Sequence, residues 1–483
     1  MTDVATASPE LAAKPRDSAL KLLSDTIGAR LLLAVFSMVN IVLVTRVVGP
    51  SVYGIYASAT AYAMLLGTLT DLGSASVVVR EGILSGDKAK SSRTYLQVRA
   101  LLILGTVALG AAIVPVAFPA EAWGAAFAAL GLLVFSGATI IGPLGQLHGS
   151  MRTFRRGATI QGVATMLATI AVVVLWDEPT PLALVLANVA GALVGSLYAV
   201  VAARHWTGSQ LADADWTAVR KMLSAITLLG FGAVISAAYA RVDGVLLLNL
   251  GGAHDAGIYQ AAYRFLDQSA LIPAAAIVPV TPMIVAQLRD HARVSRVVDD
   301  VLLKVALVGG IAVSWLTIGS AHWLAVLLLG PQFSETGDIC AVLAVYRAWS
   351  VLAVFSTSKT IHSRQERRYI AIAVVGLIVN VGVNLALIPR YGAMGAAVAT
   401  LVTEFATVTA FAMAAQRVSD GRQLRTLALT AFAGALAAAI TLGVPKVAPE
   451  ATQPARALVV LVGFAALAMT YRLLRTDVER VRP

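Results

Sequence analysis

Apolar runs of about twenty residues follow one another along almost the whole chain, separated by short polar breaks. A hydrocarbon core of about 30 Å takes roughly 20 residues of helix to cross, so each run is a candidate membrane span. Inside that core every backbone N–H and C=O must find its partner within the protein, which leaves helices or a closed barrel. Barrel strands alternate apolar and polar over about ten residues, and these runs do not. The expected fold is an all-α polytopic membrane protein. Only 13% of the residues are charged and 58% are apolar, against about 25% and 45–50% in soluble proteins. A soluble domain, a disordered chain or a single-pass receptor is thereby excluded, and little remains for a soluble catalytic domain.

Read from break to break, the runs predict about fourteen spans. Six fall at 27–48, 54–72, 96–118, 123–146, 157–176 and 181–203; six more at 219–249, 257–285, 301–329, 336–360, 369–389 and 393–416. A final pair lies near 423–443 and 455–473. The runs 219–249 and 257–285 exceed one crossing and predict tilt or kinks. Alternate loops carry basic clusters, among them Lys88, Lys90 and Arg93; Arg152, Arg155 and Arg156; Arg289, Arg293 and Arg296. The opposite loops are short and poor in Lys and Arg, with Arg46, Arg390, Lys446 and Arg456 as exceptions. By the positive-inside rule both termini are expected in the cytoplasm, which requires an even number of spans. The polar residues 1–20 read as a cytosolic tail without the pattern of a signal peptide. Residues 21–205 and 206–417 read as two six-helix lobes, and 418–483 as an extra helix pair with a cytosolic tail. The single cysteine, Cys340, excludes an intramolecular disulfide framework.

A duplication is visible. Gly49-Pro50-Ser51-Val52-Tyr53-Gly54-Ile55-Tyr56 and Gly252-Ala253-His254-Asp255-Ala256-Gly257-Ile258-Tyr259 both read Gly, four residues, Gly-Ile-Tyr. They stand after the first and the seventh expected spans, an even number apart, so the two lobes share an orientation and are related by an axis along the membrane normal. Arg46-Val47-Val48-Gly49-Pro50 with Tyr53 to Tyr56, Asp71-Leu72-Gly73, and Ile388-Pro389-Arg390-Tyr391-Gly392-Ala393-Met394-Gly395-Ala396-Ala397 carry a resemblance over most of residues 20–417. The chain resembles the polysaccharide-repeat (O-antigen and exopolysaccharide) flippases of the multidrug/oligosaccharidyl-lipid/polysaccharide exporter superfamily. That resemblance implies two six-helix lobes around a central cavity. The final helix pair is similar to one that, in lipid II flippases, forms a lipid-facing groove.

Ionisable residues within spans are costly and mark candidate sites. On the eighth span Gln260, Arg264 and Asp267 share one helix face, followed by Pro273, Pro279 and Pro282. Arg241 and Asp243, two residues apart on the seventh, do not share a helix face, and so meet different partners or lie in a broken segment. Arg347 lies mid-span between Tyr346 and Trp349, Lys359 and Arg30 within snorkelling reach of the cytoplasmic surface. These residues, with Asn380, are the candidate substrate-binding set; Asn380 and Asn384, one turn apart, read first as interhelix hydrogen-bonding groups. Asp71, Asp243, Asp267 and Glu404 are the candidate ion-coupling carboxylates. The six histidines show no metal-ligand spacing and there is no phosphate-binding Gly-Lys-Ser/Thr loop.

The expectation is a non-enzymatic flippase for a polyprenyl-diphosphate-linked oligosaccharide, moving it across a bacterial inner membrane for cell-surface polysaccharide synthesis. It would work by alternating access with a cationic cavity, since buried Arg and Lys suit a diphosphate. Lipid II and organic cations are the alternative cargoes. A membrane polymerase or ligase is the competing class, disfavoured by the short outer loops. No cofactor is expected beyond a proton or sodium gradient. The expected partners are the lipid-linked oligosaccharide, membrane lipids and the polysaccharide assembly machinery, with no nucleic acid.

Overall fold

The computed structural model describes residues 35–207, 215–269, 294–349, 366–415 and 422–479; among them are helices and turns, and no strand. The helices are α1 (Val35–Val47), α2 (Pro50–Asp71), α3 (Ser74–Ser85), α4 (Lys88–Ala117), α5 (Trp123–Ala129), α6 (Gly131–Val134), α7 (Gly137–His148) and α8 (Met151–Leu175). They continue with α9 (Pro181–Thr207), α10 (Trp216–Leu250), α11 (Gly252–Ser269), α12 (Val294–Leu324), α13 (Glu335–Ala344), α14 (Glu366–Ala415), α15 (Arg422–Val447) and α16 (Thr452–Glu479). Ten stretches of the described residues are long and apolar enough to cross a bilayer. One of them, Arg368–Ala414, joins two expected spans in a single bent helix. With α1, α11 and α13 supplying the described parts of three more, every expected span is represented by a helix.

Two departures from straight spans have local causes. The fourth expected span is broken into α5, α6 and α7. At the second break the Gly137 N–H donates to Ser196 Oγ at 3.0 Å, so a group freed from the helical ladder keeps a partner inside the protein. In α14 the bend falls at Gly392, with φ 52° and ψ −131°, a backbone region that only glycine enters without strain. The Asp255 carboxylate presses against this position, where a Cβ would overlap it. A glycine between Tyr391 and Ala393 is thus required twice over.

By its internal contacts the chain forms two compact units. The first comprises residues 35–47, Ala63–Val116 and Ala120–Val234 where described, and the second Val48–Tyr62, Ala117–Pro119 and the described residues from Ile235 onward. Their boundary falls inside α10, later than the 205/206 division of the sequence, and the start of α2 joins the second unit. Packing explains the transfer. An ideal Cβ on Gly54 would overlap the Ala253 carbonyl oxygen, and one on Gly257 would overlap the Pro50 carbonyl oxygen. In the repeat, Gly54 corresponds to Gly257 and Pro50 to Ala253, so the two copies touch by reciprocal contacts, as elements related by a two-fold must. The absent side chains let the two backbones meet. Gly54→Val or Gly257→Val should therefore cost about 1–3 kcal/mol through overpacking, read as a lowered Tm in detergent. Gly105→Ala and Gly443→Ala, where a Cβ meets open space, should not lower it.

Within the first unit, α10 begins at a capped and bridged turn. Asp215 Oδ1 accepts from the Ala218 N–H at 3.0 Å and Oδ2 from Lys90 Nζ at 3.0 Å. The backbone donor first, and the Lys90 ammonium second, hold this carboxyl below the usual aspartate range. Because the folded-state value is depressed, the stabilisation is present above the ordinary pKa and fades as pH falls through the lower one. Asp215→Ala should speed amide exchange over residues 216–222 at neutral pH. Corrected for intrinsic rates, wild type should approach the variant only in acid.

Candidate functional site

The intramembrane charges of the second unit gather on one short stretch of α11, Tyr263–Asp267. Arg241, from α10, donates through Nη2 to Asp267 Oδ2 at 2.9 Å and holds its guanidinium 5.5 Å from the centroid of the Tyr263 ring. Arg264 reaches the Tyr53 hydroxyl at the start of α2. Arg347 donates through Nη2 to the Leu266 carbonyl at 2.6 Å, its guanidinium 4.7 Å from the Tyr346 ring centroid. Arg347 is 7% exposed. Its position follows from a break in the chain: α13 ends at Ala344, and the next residues turn tightly, with Tyr346 N–H bonded to the Leu343 carbonyl and Ala348 N–H to that of Val345. Two arginines from other segments, Arg241 and Arg347, thus bond to α11 at Asp267 and Leu266, close to Arg264 on the same helix.

Carboxylates surround them. Asp243 is 3% exposed and accepts from the Tyr259 hydroxyl, from Thr400 Oγ1 at 3.2 Å and from the Gly244 N–H at 2.8 Å. Glu404, on the second limb of α14, accepts from Tyr239 and lies within electrostatic reach of Arg347. Among the described candidates of this unit, Arg241, Arg264 and Arg347 are therefore matched in number by Asp243, Asp267 and Glu404. The cationic excess expected from sequence drew also on Arg30 and Lys359, and both lie outside the described residues. So do Pro273, Pro279 and Pro282.

Gln260, Arg264 and Asp267 share one face of α11, and each turns to a different neighbour. Gln260 packs its amide on Gly244, where a Cβ would overlap it; Arg264 and Asp267 do not need each other as a neutralising pair, since Asp267 is taken by Arg241. Arg241 and Asp243 have separate partners, as their spacing requires. Asn380 donates to Thr403 Oγ1 at 3.0 Å and so ties the two limbs of α14 together, while Asn384 donates to the Asn380 carbonyl at 2.9 Å within the first limb. Asp71 stands apart in the first unit. Its Oδ1 accepts from Arg99 Nη1 at 3.3 Å, Ser74 Oγ at 3.1 Å and the Ala75 N–H at 3.3 Å. Arg99, 3% exposed, also donates to Thr139 Oγ1 at 3.1 Å. Arg46 and Arg390 are exposed.

Tyr53, Tyr239, Tyr259 and Thr400 escaped the sequence reading. Tyr259 closes the second Gly-Ile-Tyr copy and Tyr239 sits one turn before Asp243, so both carried a signal; Thr400 is a hydroxyl in an apolar run and carried none. Among the described residues no group of three or more His, Cys, Asp or Glu side chains converges as a metal site.

The Arg241–Asp267 pair, with side chains 17% and 30% exposed, lies between a buried and a surface bridge. A double-mutant cycle with Arg241→Ala and Asp267→Ala should give a coupling of about 1–3 kcal/mol, the double variant losing less stability than the sum of the two single variants.

The profile of the polysaccharide biosynthesis protein family matches residues 24–286, more than half of the chain. No curated protein sequence matches. Among solved structures, the lipid II flippase MurJ in an inward closed conformation is similar with a TM-score of 0.64 at 13% identity, over 94% of this chain and 99% of that one. An inward-facing multidrug resistance MATE family transporter of the MOP superfamily gives 0.60 at 13% identity, over 82% and 95%. A MOP superfamily transporter from Pyrococcus furiosus gives 0.58 at 14% identity, over 86% and 96%. At such identities the likeness is one of fold.

Proposed function

From the premise that the chain belongs to the polysaccharide biosynthesis protein family, a multi-pass membrane protein with a transporter fold, we propose that it is a flippase for a polyprenyl-diphosphate-linked oligosaccharide. It moves that lipid across a bacterial inner membrane, with both termini in the cytoplasm. The observation that carries this reading is that Arg241 and Arg347 bond to Asp267 and Leu266 on the helix that also carries Arg264. A diphosphate presents several anionic oxygens within a few ångströms. Guanidinium groups meet such oxygens with two parallel hydrogen bonds, which a single ammonium does not. Asp267 supports this reading: it occupies Arg241 as an anion and is 30% exposed, so phosphate oxygens would compete with it for the same donor.

Transport is by alternating access, the diphosphate remaining on the arginines while the site exchanges exposure between leaflets. Asp243 and Glu404 are the coupling candidates for a proton or sodium gradient. Asp243 is held by neutral donors, Tyr259, Thr400 and its neighbour's N–H, that can rearrange when the carboxylate takes up a cation. Asp71 is a further coupling candidate of a different kind, since its carboxylate is paired with the Arg99 guanidinium. Lipid II as cargo follows the same charge logic and differs in the glycan. Export of an organic cation is the second reading, supported by the three carboxylates of this unit.

The test is leaflet-resolved movement of a labelled lipid-linked oligosaccharide in vesicles. Losing a hydrogen bond to a charged group costs about 1.5–3 kcal/mol, so Arg347→Ala and Arg264→Ala should slow translocation about ten- to a hundredfold while inserting normally. Arg347→Lys, which keeps charge without the fork, should fall between. Equal rates in all proteins would remove these arginines from the reading, and faster uptake of a lipophilic cation with no lipid movement would favour the second.

A further inference from the structure

Beside the arginine cluster, on the α10–α14 side of the second unit, lies a cavity of about 140 Å³. Four hydroxyl-bearing side chains, Ser236, Tyr239, Tyr369 and Thr407, line it together with Glu404 and Phe411. The hydroxyls are already organised. Ser236 Oγ and the Tyr369 hydroxyl are 2.7 Å apart, Thr407 Oγ1 donates to the Thr403 carbonyl at 2.7 Å and lies 3.4 Å from the Tyr239 oxygen, and Tyr239 donates to Glu404. The rings of Tyr369 and Phe411 stack, with centroids 5.5 Å apart and planes 26° from parallel.

We propose that this cavity is a subsite for one sugar ring, the one bonded directly to the diphosphate. The inference rests on the function proposed above and adds where the glycan begins. Three features carry it. First, hydroxyls that both donate and accept, with a carboxylate that only accepts, complement a ring of vicinal hydroxyls, each of which also does both. Second, Tyr369 and Phe411 both line the cavity, so aromatic surface is present against which the C–H face of a pyranose can lie. Third, Glu404 interacts electrostatically with Arg347 and Tyr239 precedes Arg241 on α10 by two residues, the order that lipid, diphosphate, sugar demands. Size limits the ligand further. Pockets for drug-sized molecules run to about 300–1,000 Å³, so this one takes a single ring and not the whole oligosaccharide. Longer glycans then extend away from it, and the subsite reads only the first residue.

The experiment compares binding of two probes to the full-length protein in nanodiscs: polyprenyl diphosphate alone, and polyprenyl diphosphate carrying one hexose. Wild type should prefer the glycosylated lipid about tenfold, the equivalent of one hydrogen bond to a charged group. Glu404→Gln should reduce that preference, and Ala373→Phe, which fills the cavity from its small-residue wall, should abolish it. Arg347→Ala should weaken both lipids while leaving their ratio in place. Tyr369→Phe, which removes one hydroxyl and keeps the ring, guards against misfolding in the other variants and should give an intermediate preference. Equal affinity of the two lipids in wild type overturns the subsite and leaves the flippase reading standing. Failure of both lipids to bind overturns the flippase reading and the subsite with it. Binding of tetraphenylphosphonium that Glu404→Gln abolishes, with no preference between the lipids, assigns the cavity to an organic cation and overturns the sugar.

Discussion

A charge held in hydrocarbon has to be matched, and the cost of leaving one unmatched at mid-membrane is about 2.5–3.5 kcal/mol even on the mildest scales. That constraint organises the second unit. Asp267 accepts from Arg241, the Leu266 carbonyl from Arg347, the Tyr53 hydroxyl meets Arg264, and Asp243 draws on Tyr259, Thr400 and a backbone N–H. α11 is the common scaffold: all three arginines are either on it or bonded to it. A helix that carries Gln260, Arg264 and Asp267 on one face cannot lie against lipid along that face, so it packs inward, and the partners it needs come from α10, from the start of α2 and from the turn after α13.

The same helix begins at the contact between the two repeat copies. Glycines at positions 54 and 257 let α2 and α11 meet backbone to backbone, and this places Tyr53, one residue before Gly54, against Arg264 three turns into α11. The apolar core of the contact includes Tyr53, Phe333 and Tyr259, all buried, with the Tyr53 and Phe333 rings edge to face at 5.7 Å between centroids. Packing at a loop and charge placement within a span are thus one structural fact. A side chain added at either glycine would push the Tyr53 hydroxyl away from its arginine.

Much of the fold was legible because lipid imposes few solutions. Run length gave the spans, and the Gly-Ile-Tyr repeat marked the pair of helices that turn out to touch. The separate partners of Arg241 and Asp243 followed from helix geometry, which puts residues two apart on different faces. What the sequence withheld depends on tertiary contact. No local signal indicates that Asp267 is bonded to Arg241, on another helix, instead of Arg264, one turn away on its own. Nor does any signal show that Thr400, a hydroxyl among alanines and valines, is turned toward Asp243. Asp71 read as a coupling carboxylate on its own; its bond to a buried Arg99 twenty-eight positions later is invisible to periodicity. The bend of α14 lay between the two, since Gly392 was visible in the Pro-Arg-Tyr-Gly turn while its backbone angles and the Asp255 carboxylate against it were not.

The claim on which the functional account turns is that the arginines gathered on Tyr263–Asp267 receive the anionic head of a lipid. An experimental density map of the protein in nanodiscs saturated with polyprenyl diphosphate addresses it most directly. The account predicts phosphate density within hydrogen-bonding distance of the Arg347 and Arg264 guanidinium groups, with the Arg241–Asp267 contact lengthened or exchanged for phosphate. Density for the head group elsewhere, with all three arginines still on Leu266, Tyr53 and Asp267, would contradict it.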